Sequence, residues 1–195
     1  MSLRRIADHA LALRRLPRRV AVFYLRALLT ALVARDRATF RDVTRPFELA
    51  LLLDRAHGSK SVVELGTGPA WTSVAFALAD DERRVVTIDP KVYAHRERYL
   101  ALVGQGVRAR IDLRQARGED PPPEGARPDL VFIDSRHERE PTVETFNNWE
   151  PVLQPGGLVA FHDYGNPHWP GVAEAVRELG LDGEPMPYFF FWRKP

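Results

Sequence analysis

The stretch Val62-Val63-Glu64-Leu65-Gly66-Thr67-Gly68-Pro69-Ala70-Trp71-Thr72-Ser73 constrains the fold more than any other part of the chain. Val62 to Leu65 read as a short buried parallel strand, because β-branched residues run directly into a glycine turn. Gly66 and Gly68 can take positive φ or let a ligand approach the backbone. Pro69 suits the first turn of a helix, where its missing N–H costs nothing. Trp71 to Ala79 then carry apolar residues at helical spacing. A strand, a glycine turn and a helix N-terminus together make a site for a small anionic group, held by free backbone N–H groups.

The same alternation continues downstream. Arg84 to Asp89 predict a second strand with Asp89 at its carboxyl end, followed by a helix over 94–103 that stops at Gly104. A third strand is expected over 109–115, a fourth over 128–134 and a fifth over 158–161, which delivers His162-Asp163-Tyr164. Helices are expected over 141–153 and 171–179, and a last strand over 186–192. The proline-rich stretch 120–125 is a loop rather than a linker, because the strand pattern resumes directly. Strands alternating with helices imply a doubly wound α/β domain, whose ligands bind beyond the carboxyl ends of the strands. The 66–70 turn, Asp89, Ala116, Asp134 and His162-Asp163 all fall on that rim.

Upstream, 3–16 and 19–36 predict two helices broken at Pro17, and 46–56 a third. Residues 1–45 hold eleven arginines against Asp8, Asp36 and Asp42, so an arginine-rich helical extension is expected at 1–45 and the α/β domain at 46–195. Such an arm can roof the substrate site, form a homodimer contact or touch an acidic surface. Only three lysines stand beside 25 arginines, so the basic character also fits a coding bias. The absence of cysteine excludes a disulfide framework and thiolate chemistry. Val20 to Ala34 is broken by Arg26 and too short to span a bilayer, and without a signal-peptide pattern a cytoplasmic location is expected.

The turn Glu64-x-Gly66-x-Gly68 resembles motif I of the class I S-adenosylmethionine-dependent methyltransferases. The later order DLVFIDSRHERE, W-x-P-x-L-x-PGGLVAFHDY and PGVAEAV is similar to a bacterial branch of that family akin to small-molecule O-methyltransferases. The resemblance covers about residues 46–192. It implies a Rossmann-like seven-stranded sheet whose last strand is antiparallel and lies beside the fifth, with a short sixth strand near 181–184. It also implies S-adenosylmethionine as cofactor, bound by Glu64, Gly66, Thr67, Gly68, Asp89, Ala116, Arg117 and Asp134. Asp89 would hold the ribose, and the N–H groups after Gly66 would lie near the methionine carboxylate. Catechol-type relatives hold Mg²⁺ through an Asp after the fourth strand and an Asp-Asn pair after the fifth. Asp134 and Asp163 match the two aspartates, whereas Tyr164 stands in the Asn position.

Methyl transfer to a hydroxyl also requires loss of a proton. His162 beside Asp163, or His137 three residues beyond Asp134, is placed to act as base; a metal lowering the hydroxyl's pKa is the alternative. Three other readings compete. A nicotinamide-dependent dehydrogenase shares Asp89, but its G-x-G-x-x-G fingerprint needs glycine where this chain has Trp71. A methyltransferase-like binding protein without turnover would use the arginine-rich arm as its partner element. Nucleic-acid methylation is the third, but its Asn/Asp-Pro-Pro-Tyr/Phe motif is not seen here and the basic arm lies outside the catalytic half; the resemblance implies a small-molecule acceptor as partner.

Overall fold

The computed structural model describes residues 12–195. Most of the helix expected over 3–16 therefore lies outside the described residues, and the chain is followed from its break at Pro17. Helix α1 spans Arg18–Val33, α2 Thr39–Asp42 and α3 Pro46–Arg55. Strand β1 (Ser61–Leu65) leads through the glycine turn to α4 (Trp71–Ala79) and β2 (Arg84–Ile88). Then come α5 (Arg96–Leu100), α6 (Gln105–Arg108), β3 (Ile111–Arg114) and β4 (Leu130–Ile133). The chain closes with α7 (Arg139–Trp149), β5 (Leu158–Tyr164), α8 (Pro170–Glu178), β6 (Glu184–Met186) and β7 (Tyr188–Arg193).

The seven strands form one sheet in the order β3-β2-β1-β4-β5-β7-β6, with β7 antiparallel to both neighbours. This is the Rossmann-like arrangement expected of class I methyltransferases. Strand alternation sends Val62, Phe132, Ala160 and Phe189 into one core and Val63, Val131, Val159 and Phe190 into the other. A fully buried Val or Phe side chain contributes about 1.5–3 kcal/mol by leaving water, so both faces of the sheet hold their helices. Leu65 pairs with Ile88 and with Ile133, which pairs with Phe161. The register therefore brings the next residues, Gly66, Asp89, Asp134 and His162, into one row across the sheet end.

Three expected boundaries differ. The helix expected over 94–103 is shorter, Arg96–Leu100, and past the expected stop at Gly104, which takes an extended conformation, a separate short helix α6 begins. Strand β5 does not stop at Phe161 but runs on to Tyr164, since β7 continues to pair beside it through a register shift. The stretch 186–192 is divided, with Met186 ending β6, Tyr188 at φ 65° in the turn and β7 returning. The sixth strand thus lies at Glu184–Met186 rather than at 181–184.

The described part of the arginine-rich segment shares the main core. Val20, Phe23, Tyr24, Ala27 and Ala31 of α1 are buried, and Phe23, Tyr24 and Tyr99 meet the Trp71 ring edge-on. The outer face of α1 exposes Val22, Leu25, Leu29 and Leu32. No helix among the described residues is long and apolar enough to cross a membrane.

Candidate active site

A cavity of about 490 Å³ opens over the carboxyl ends of β1, β2, β4 and β5, a size typical of small-ligand sites. Its first wall is the glycine turn. Gly66 sits at φ 103°, and a Cβ there would meet the Asp134 carbonyl oxygen at 2.0 Å. Only glycine lets β1 and β4 end this close together. Gly68 at φ 48° is more open, with only the Asp42 carbonyl near its missing Cβ, at 3.7 Å. Beneath the turn, the buried Glu64 carboxylate accepts from Ser73 Oγ and from Thr87 Oγ1 (2.7 Å), and the Thr87 and Thr67 hydroxyls are 2.7 Å apart.

Asp89 faces this turn. One carboxylate oxygen accepts from Thr67 N–H (3.2 Å) and Gly68 N–H (2.9 Å), and the other from Lys91 N–H (2.7 Å). The N–H groups expected to meet a ligand carboxylate are thus engaged by Asp89. Buried Arg96 clamps the pair, donating to the Gly68 carbonyl at 2.9 Å and approaching Asp89 at 3.4 Å. The oxygen facing Thr67, Gly68 and Arg96 is fully engaged, and the other, which accepts only from Lys91 N–H, retains a lone pair for a further donor. Arg117 lines the cavity with Gly118 and Glu119, while Ala116 is absent from the lining and packs into the second core. The Arg117 side chain is mostly solvent-exposed and pairs with Asp120. Trp149 Nε1 donates to the Gly118 carbonyl (2.9 Å), fixing this loop against α7.

The opposite wall gathers Asp134, His137, His162 and Asp163. His162 Nδ1 lies 2.7 Å from Asp134 Oδ1, and His137 Nε2 lies 3.2 Å from Asp163 Oδ2 and 3.5 Å from Asp134 Oδ1. Asp163 sits at φ 57° in the β5–β7 register shift, a conformation that few non-glycine residues adopt and that concentrates at functional sites. Asn166 Nδ2 donates to Asp163 Oδ1 at 2.6 Å. Trp169 stacks on His137 with ring centroids 4.9 Å apart, and Gly171 fits only because a Cβ would meet the His137 carbonyl at 2.6 Å.

Residues 63–164 match the family profile of the methyltransferase domain, just over half of the chain. The chain belongs to the methyltransferase-domain family. Among curated proteins it is 35% identical over 66 residues to an uncharacterized protein of Acanthamoeba polyphaga mimivirus. That match covers 32% of this chain and 30% of the viral protein's length. Among solved structures it resembles a methyltransferase from Geobacter sulfurreducens (TM-score 0.64, 20% identity, 86% and 87% of the two chains). A putative caffeoyl-CoA O-methyltransferase from Staphylococcus aureus superposes with TM-score 0.62 at 16% identity, over 88% and 98% of the chains. The O-methyltransferase TomG of Streptomyces achromogenes, solved with S-adenosylmethionine, gives 0.58 at 19% identity over 78% and 82%. These likenesses establish the fold.

In this member of the family, charge is divided sharply across the cavity. Burial raises the Glu64 carboxyl to about 8, against weaker support for the anion from Ser73 and Thr87. Burial pushes Asp134 upward too, but the His162 and His137 rings outweigh it and hold its carboxyl down at about 2. Burial alone would keep His137 neutral, yet Asp134 and Asp163 raise it to about 9. His162 is likewise raised well above its ordinary value despite burial, chiefly by Asp134. A ring held protonated acts as a base only after losing that proton.

The donor set does not fit Mg²⁺. Two imidazole nitrogens stand among the two carboxylate oxygens, whereas Mg²⁺ takes oxygen ligands in a near-ideal octahedron. Tyr164 is absent from the cavity lining, and its ring packs on Phe190 at 5.1 Å.

Several lining residues escape sequence reasoning. Arg41 to Thr44 reach the cavity from the arginine-rich segment, and the Thr44 hydroxyl lies 2.9 Å from that of Thr72. Glu48 is buried, accepts from Arg45 N–H at 2.8 Å and faces His162 Nε2 at 3.6 Å. The Pro46–Glu48 spacing at a helix start signals the cap, but nothing local signals the histidine.

Proposed function

We propose that the protein transfers the methyl group of S-adenosylmethionine to a hydroxyl oxygen of a small molecule. The observation that carries this reading is one cavity joining a carboxylate-clamped glycine turn to a cluster of two imidazoles and two carboxylates. Asp89, already oriented by Thr67, Gly68 and Arg96 through one oxygen, accepts a ribose hydroxyl with the lone pair left on its other oxygen. Gly66, Thr67 and Gly68 form the wall beside the methionine part, with Glu64 holding that wall from below. The loop at Arg117 borders the adenine, and Asp134 stands where the two halves of the cavity meet.

The sulfonium activates the methyl group, so the protein's task is to align an oxygen with it and exclude water. Trp169 and the segment from Arg41 to Thr44 enclose the acceptor. Asp163 and the His137 and His162 rings receive the acceptor hydroxyl and, once a ring has given up its own proton, take the hydroxyl's. Solved relatives described as O-methyltransferases support oxygen as the target.

Calorimetric titration with S-adenosylmethionine and S-adenosylhomocysteine, with NADH as control, is expected to give micromolar binding of the sulfur nucleosides alone. Labelled S-adenosylmethionine is then expected to pass its methyl to phenols or sugar hydroxyls. Binding of NADH alone, or transfer to amines but not to hydroxyls, would overturn the reading.

A further inference from the structure

We propose that Asp134, His137, His162 and Asp163 form a binding site for a first-row transition-metal dication of the Zn²⁺ class, rather than for Mg²⁺. The four donor atoms, Asp134 Oδ1, His137 Nε2, His162 Nδ1 and Asp163 Oδ2, lie within 4.8 Å of one another. The four carboxylate-to-ring separations are 2.7, 3.2, 3.5 and 3.8 Å. They bracket the ~3.3 Å edge of a tetrahedron whose ligands stand about 2.0–2.1 Å from a central ion. Imidazole nitrogen mixed with carboxylate oxygen suits zinc, cobalt and their neighbours and disfavours a hard, oxygen-seeking ion.

The surroundings match what such an ion requires of its outer contacts. Metal-bound histidines present their second ring N–H to an acceptor, which fixes the tautomer. The buried His162 turns Nε2 to Glu48 Oε2 at 3.6 Å, and that nitrogen has no hydrogen-bond partner. His137 Nε2 is also buried without a partner, and it points between the two aspartates. Asn166 holds one oxygen of Asp163, leaving the other turned to the cluster. Trp169 fixes the His137 plane, and Phe132 and Phe189 pack against the His162 ring at 5.9 and 5.1 Å. Asp134, His137 and Asp163 line the cavity, so an ion can enter from it. With the rings engaged as ligands, a dication held there would supply Lewis acidity toward a neighbouring hydroxyl, and the ring-base route belongs to the ion-free protein. The inference rests on this cluster alone and holds or fails apart from the methyl-transfer reading.

Full-length protein stripped with a chelator and titrated with Co²⁺ is expected to take up one equivalent and develop the visible absorption of a four-coordinate ion. One equivalent of Zn²⁺ should abolish that signal, and a large excess of Mg²⁺ should leave it unchanged. His137→Ala and His162→Gln are each expected to weaken Zn²⁺ binding by more than about tenfold, and Glu48→Gln by about tenfold. His57→Ala, on the exposed surface, should have no effect. Thermal melts establish that each variant is folded. Displacement of Co²⁺ by comparable Mg²⁺, no stoichiometric uptake, or uptake that survives both histidine substitutions would overturn the proposal. S-adenosylmethionine binding measured on the same samples separates this outcome from failure of the proposed activity.

Discussion

Glu64 on β1 and Asp134 just beyond β4 line the same cavity on neighbouring strands, yet their surroundings drive them in opposite directions. Glu64 has only hydroxyl donors and full burial, so its carboxyl is raised to about 8. Asp134 is held at about 2 by two imidazoles that override its burial. Environments that separate two carboxyls this widely divide a site by role. The turn end is closed on itself: Asp89 takes up the turn's N–H groups, Arg96 covers Asp89, and Glu64 secures the threonines beneath. The acceptor end remains open in its bonding, with two ring nitrogens unpartnered. One end is built for a fixed shape, and the other for a group that arrives from outside.

Substitution at the turn should cost the fold most. Gly66→Ala drives a Cβ into the Asp134 carbonyl from a positive-φ position, and a loss of roughly 3–4 kcal/mol is expected in chemical denaturation. Gly68→Ala, with space around it, should lose only about 1–2 kcal/mol, the cost of the left-handed backbone. Equal losses at the two glycines would mean that the β1–β4 approach is not what demands Gly66.

At the acceptor end the largest effect should fall on chemistry instead. Asn tolerates the left-handed φ of residue 163, so Asp163→Asn should stay within about 1 kcal/mol of the parent stability. Turnover is expected to fall about 100-fold, with S-adenosylmethionine affinity unchanged in calorimetry. A parallel loss of cofactor affinity would erase the division between the two ends.

How much of this division is legible in the sequence depends on how local its cause is. The strands and the 66–70 turn are legible because alternation, β-branching and glycine act over a few residues. Asp89, Asp134 and His162 are legible as rim residues because a parallel sheet ends its strands together, and the register bears this out. Glu48 facing His162, Arg96 over Asp89 and Arg41 to Thr44 in the lining are not. Each is brought in by the packing of a helix whose own sequence pattern fixes only its buried face. Asp163's left-handed backbone is equally silent, because the bulge that requires it is set by pairing with β7. The N-terminal segment reads as an arginine-rich helical extension, and the apolar positions between its arginines seat the described helix α1 in the main core.

The next effect in size tests the clamp. Asp89→Asn keeps the shape but removes the charge that strengthens the bonds from Thr67 and Gly68. Hydrogen bonds to charged groups contribute about 1.5–3 kcal/mol, so S-adenosylmethionine affinity should fall by about tenfold or more. An unchanged affinity would take Asp89 out of cofactor binding and leave it as a turn anchor only.

The gentlest slope, and the most direct comparison of the two carboxyls, concerns Glu64. In the unfolded chain its carboxyl ionises near 4.5, whereas the folded protein holds it neutral up to about 8. Below the unfolded value both states carry the proton and Glu64 imposes no penalty. Between the two values the unfolded chain releases a proton that the folded protein keeps, so stability falls as pH rises, by at most about 1.4 kcal/mol per unit. Above about 8 the folded carboxyl ionises as well and the slope ends. Asp134 acts with the opposite sign: its folded pKa is depressed, so its contribution is lost only as pH falls towards about 2. Glu64→Gln keeps an oxygen acceptor for Ser73 and Thr87 but cannot ionise. Denaturation midpoints of this variant should therefore lose the decline between pH 5 and 8 that the parent shows. A parent that is flat over that range would mean that Glu64 is ionised in the folded state. The cation it would then need is absent from its hydrogen-bond partners, and the closed character assigned to the turn end would not hold.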